Sequence, residues 1–91
     1  MSTSKSAKSQ AITPNQCKAA RDLLGWKQSD LSAKSSIGES TIADFERGAR
    51  EPAVRTLRDI RVAFEDAGIK FISDEDWVGV KLSINKVTTH R

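Results

Sequence analysis

The chain has 91 residues, 37% hydrophobic and 30% charged, which fits one small domain whose modest core is often reinforced by dimerisation. Its formal net charge is +3, and the excess lies in the first half: residues 1–50 carry eight basic and five acidic side chains, residues 51–91 seven of each. A single cysteine and a single histidine exclude an intrachain disulfide and a Cys-rich metal site and leave no nucleophile or metal constellation. With no long apolar run and no apolar secretion-signal core, a cytoplasmic protein without cofactors is expected.

Met1 to Ile12, Ser-rich with Lys5 and Lys8, reads as a flexible tail. At Thr13-Pro14-Asn15-Gln16 a Thr-x-x-Gln capping box with proline at the first helical position predicts a helix start. Cys17, Ala20 and Leu24 recur at helical spacing, so Cys17 is expected in the core, and Gly25 closes the segment. A second helix is predicted over about 28–35, with Leu31 inward and Asp30 near its positive end. After the break at Ser36-Ile37-Gly38, a third helix runs over 39–47, placing Ile42 and Phe45 one turn apart, and Gly48 stops it.

Pro52 favours a new start, and Leu57, Ile60, Phe64 and Ala67 mark a fourth helix over about 54–67, ended by Gly68. On its solvated face Arg55–Asp59 and Arg61–Glu65 are available as i, i+4 pairs, and Arg58 lies with them. The period then changes to two: Ile69–Ile72 and the alternating Val78, Val80, Leu82 and Ile84 flank a turn at Ser73-Asp74-Glu75-Asp76, predicting a β-hairpin over 69–85. An isolated hairpin is marginal in water, so it must pack on the helices or pair with another chain. Trp26 is expected behind the second helix, Trp77 in the hairpin or a dimer contact, and residues 86–91, with His90, form a tail.

Two short helices joined by a tight turn must cross steeply and leave one protruding. With Ile42 and Phe45 inward at 100° per residue, Ser40, Ala43, Asp44 and Arg47 fall on the opposite face, flanked by Glu39 and Thr41. That small, polar face with one long cation suits entry into a major groove.

The run Leu24-Gly25-Trp26-Lys27-Gln28-Ser29-Asp30-Leu31, then Ile37-Gly38-Glu39-Ser40-Thr41-Ile42, then Phe45-Glu46-Arg47-Gly48 resembles the phage-repressor/Cro-type (XRE-like) helix-turn-helix family over residues 13–68. The resemblance implies a mainly α fold, a lambda-repressor-like bundle of four to five helices, to which the predicted β-hairpin is appended. It also implies a homodimer on a two-fold DNA operator and transcriptional control in bacteria or their mobile elements. By the same resemblance Gln28 and Thr41 meet phosphate. Glu39, Ser40 and Asp44 sit at base-reading positions, and Arg47 and Arg50 meet the DNA backbone. Three positions depart from the pattern: Lys27 and Gly38 stand where helix N-caps are usual, and Ser36 replaces the turn glycine, which strains it if the turn needs positive φ.

Glu39 and Asp44 approach a polyanion, which is unfavourable unless each accepts a hydrogen bond, as from cytosine N4. Asp44 is read rather as orienting Arg47 at i, i+3, and Glu39 fits either role. The expected function is that of a dimeric repressor or autoregulator that acts by occupancy near a promoter, excluding or positioning RNA polymerase, and that is nucleoid-associated when bound. The alternative is a protein-interaction module, such as an antitoxin or antiactivator, that also binds DNA. A nuclease lacks a histidine in the body of the chain and clustered carboxylates for a metal.

Overall fold

Thr13 opens the first helix by the reciprocal cap that its sequence predicts. Its hydroxyl accepts from the Gln16 N–H (3.0 Å) and the Gln16 carboxamide oxygen accepts from the Thr13 N–H (2.9 Å). The computed structural model describes residues 12–83. In it, α1 spans Pro14–Leu24, α2 Gln28–Ser35, α3 Glu39–Glu46 and α4 Val54–Asp66, followed by strands β1, Ile69–Ser73, and β2, Val78–Leu82. Four helices among the described residues, with one antiparallel hairpin, match the expected mainly α architecture. Lys5, Lys8, Ile84 and His90 lie outside the described residues.

Ile12, assigned above to the tail, is 5% exposed and belongs to the core. It precedes the N-cap while Cys17 occupies the fourth helical position, the two places of a hydrophobic staple. Gly25 closes α1 in the left-handed region (φ 70°), as expected.

At α2 the cap is only half a box. Lys27 has no side-chain acceptor, but the Asp30 carboxylate accepts from the Lys27 N–H (2.9 Å) and stands in the first turn, where the helix dipole favours it. Serines shape the turn that follows. Ser35 Oγ donates to Leu31 C=O (2.7 Å), the Ile37 N–H donates to Ser35 Oγ (3.2 Å), and Ser32 Oγ donates to Ile37 C=O (2.6 Å). Ser36 takes φ 64°, the one described non-glycine residue with positive φ. Ser36→Gly is therefore expected to stabilise the domain by about 0.5–1 kcal/mol, read as a higher urea midpoint at unchanged slope. No gain would mean that the turn imposes no strain.

The core collects Leu31 from α2, Ile42 and Phe45 from α3, Leu57, Ile60, Ala63 and Phe64 from α4, and Cys17 and Ala20 from α1. Trp26, between α1 and α2, stacks on Phe64 (centroids 5.7 Å apart, rings 20° from parallel), and Phe71 meets Phe64 edge-on at 5.9 Å. Phe64 thus joins the helical unit to the hairpin. Burying an aromatic ring against two others gives large apolar area and favourable quadrupole geometry together.

In the hairpin Ile69 faces Leu82, Phe71 faces Val80 and Ser73 faces Val78. Ile69, Phe71, Val80 and Leu82 point to the core, which meets the predicted need for a packing surface. Gln16, 3% exposed, adds a polar tie: its Nε2 donates to Ile72 C=O (3.1 Å) and Gly79 C=O (3.0 Å). Among the described residues no helix is long and apolar enough to cross a membrane.

Candidate nucleic-acid interface

α3 shows one side to the core and the other to solvent. Ile42 (0%) and Phe45 (4%) are buried, while Glu39, Ser40 and Arg47 are exposed and Thr41, Ala43 and Asp44 are half-buried. This is the outward set that helical spacing predicts. Arg47 pairs with Asp44, so the i, i+3 orienting arrangement is present. Arg50, beyond the helix, donates from Nη1 to Thr41 Oγ1 (3.2 Å), which brings two expected backbone-contact residues together at one end of α3. Gly48 (φ 76°) turns the chain out of the helix, and the Ala49 N–H caps Asp44 C=O at 2.9 Å.

The residue that spacing did not single out is Glu46. It follows Ile42 by four positions and so lies on the inner face; that was the available signal. It is 5% exposed, and three elements converge on it. Arg21 of α1 donates from Nε to Oε2 (2.7 Å) and from Nη2 to Oε1 (2.8 Å), a two-pronged pair, while its Nη1 donates to Trp26 C=O (3.0 Å). Cys17 donates its thiol to Oε2 (3.1 Å), and Gln28 Nε2 donates to Oε1 (3.0 Å). Among the described residues no buried side-chain nitrogen or oxygen lacks a partner, so the network is satisfied.

Burial alone raises the Glu46 pKa, but the hydrogen bonds from Arg21, Gln28 and Cys17 outweigh it and hold the carboxyl below the usual carboxylate range. The Cys17 thiol is pushed far up, first by burial and then by the Glu46 carboxylate that it faces, so it stays protonated. Cys17 is a core residue, as its place on the apolar stripe predicted.

The network bears on the surface above it. Gln28, the first residue of α2, is half-buried, with its amide nitrogen bound to Glu46 and thereby aimed at the cleft between α1, α2 and α3. Lys18, Arg21, Gln28, Ala43, Glu46 and Arg47 line that cleft. It joins a helix N-terminus to basic side chains, a combination that attracts oxyanions. Lys18, which no apolar period marks, also lines it.

Among the described residues no group of three or more His, Cys, Asp or Glu gathers to hold a metal ion. No curated protein matches the chain. A family model described as helix-turn-helix matches residues 18–65, more than half of the chain, spanning the Arg21–Glu46 network and the whole of α2 and α3. With this match over a helix pair that presents a polar helix face, the chain belongs to the XRE-like helix-turn-helix family of DNA-binding transcription regulators.

Proposed function

We propose that this chain is a dimeric repressor or autoregulator that grips a two-fold operator by inserting α3 into the major groove. The observation that carries the reading is the exposed polar face of α3, held on an α2–turn–α3 unit that the buried Glu46 network ties to α1. A readout helix must be rigid, because positional error at a base edge forfeits the hydrogen bond. In a homodimer two such helices reach successive major grooves, about 34 Å apart, on one side of the duplex. Gln28, Thr41, Arg47 and Arg50 then contact phosphate and set register, while Glu39, Ser40 and Asp44 bias the base sequence. Repression follows from occupancy at a promoter, which excludes or positions RNA polymerase.

Fluorescence anisotropy with duplex DNA from upstream of the gene tests this. Arg50→Ala is expected to weaken binding about tenfold on every sequence alike and to lower the salt slope by about one. Ser40→Ala should instead change which operator wins in competition. If Ser40→Ala leaves both affinity and preference intact, α3 is not the reading helix.

One feature favours the second reading, a protein-interaction module such as an antitoxin or antiactivator that also binds DNA. Trp77 is 70% exposed and Val78 64%, side by side at the start of β2. Stoichiometric co-purification of an unrelated chain from the native host would support it.

A further inference from the structure

We propose that the outer edge of β2 is a self-recognition surface: Val78–Leu82 pairs antiparallel with the same strand of a second copy, joining two hairpins into one four-stranded sheet. This rests on the dimeric reading above and gives that dimer its interface.

The phase of the hairpin ladder decides which backbone groups face outward. Ser83 N–H donates to Gly68 C=O (2.8 Å) and Asp74 N–H to Trp77 C=O (2.9 Å), so these two pairs are hydrogen-bonded. Bonded and non-bonded pairs alternate in an antiparallel ladder. In the observed register 70/81 and 72/79 are then bonded, and 69/82, 71/80 and 73/78 are not. The N–H and C=O groups of Val78, Val80 and Leu82 therefore point away from β1. The sheet has only two strands among the described residues, and no backbone partner occurs there for these outward groups. An edge of this kind is a template for another strand.

Its side chains fit a copy of itself. A two-fold axis through Val80 is the register in which all five residues pair: Val78 with Leu82, Gly79 with Lys81, Val80 with Val80. The exposed apolar Val78 gains an apolar neighbour, and about six inter-strand hydrogen bonds form. Lys81, a charge that would ordinarily discourage edge pairing, falls opposite a glycine, with the exposed Trp77 ring of the other copy on the diagonal for a cation–π contact. Sliding the axis by one residue sets Lys81 against Lys81 in one direction and Leu82 against Asp76 in the other, so the register is specified.

The test is sedimentation equilibrium of the full chain at tens of micromolar, with and without operator DNA. Val78→Pro removes one outward N–H, and Ser73→Pro removes the equivalent group from the β1 edge; both sites are exposed and neither N–H serves the hairpin ladder. The expected result is twice the 10.0 kDa protomer mass for the natural chain and for Ser73→Pro, and protomer mass for Val78→Pro at unchanged helical circular dichroism. Amide exchange of the natural chain reads the same edge without substitution: Val78, Val80 and Leu82 should gain protection as concentration rises while Ser73 does not. A natural chain that stays monomeric, even if it captures another protein through this edge, overturns the proposal. So does a Val78→Pro chain that stays dimeric, or an edge whose exchange ignores concentration. A dimer through β2 that ignores duplex DNA leaves this inference standing and removes the regulator reading; a Val78→Pro chain that stays dimeric and still protects both operator halves as a pair does the reverse.

Discussion

Glu46→Ala is expected to cost about 3 kcal/mol or more, because it leaves the Arg21 guanidinium, 15% exposed, without its counter-charge in the interior. For a domain of this size that lowers the melting temperature by about 12 °C or more. Thermal unfolding by circular dichroism measures it directly. Replacing both partners by apolar residues, Arg21→Met with Glu46→Leu, should recover much of the loss, since neither leaves a buried charge unpaired. Yet the double variant still releases Gln28 from its anchor, so its DNA affinity should remain low when its stability has returned. Equal recovery of both would show that the network serves stability alone.

The same residue sets an acid limit. Its folded pKa lies below the ordinary carboxylate value, so its stabilisation is present above the unfolded-state pKa and is lost as pH falls through the folded one. The natural chain should lose stability on going from neutral to acid conditions by more than Glu46→Gln does. If the two stability curves run parallel below the carboxylate range, the ion pair does not control acid unfolding.

Gln16→Leu is the second large effect. It strips the Thr13 N–H of its acceptor and the Ile72 and Gly79 carbonyls of a shared donor, in a site 3% exposed. Losing these three hydrogen bonds, while the two carbonyls keep their ladder partners, costs about 2 kcal/mol. Hydrogen exchange should show where the cost falls: amides of β1 and β2 open first, while those of α3 keep most of their protection. Uniform loss across all elements would mean that the hairpin and the helices form one cooperative unit that Gln16 does not hinge.

These residues also mark how far the chain could be read unaided. The Thr13–Gln16 box, the stop at Gly25, the strained Ser36 and the outward set on α3 all follow from interactions within about four positions, and each stands in the structure. Ile12, a lone apolar residue beside a Ser-rich stretch, gives no period to count. Glu46 lies four positions after Ile42, which places it inward. A carboxylate is assumed solvated until a partner is known, and Arg21 is 25 residues away. Local sequence shows Gln16 only as a cap, because its other partners lie 56 and 63 residues on.

What this sequence determined by itself was the order and extent of its helices and strands, the sidedness of α3 and the place of Cys17 in the core. Caps, glycine conformations and apolar periods act locally and do not need the rest of the molecule. Tertiary structure decided which charges meet, that Gln28 is anchored from beneath, and that the hairpin is docked through Phe71 and Gln16. Those outcomes depend on desolvation, and only the packing of distant faces determines which polar groups lose water and must find one another.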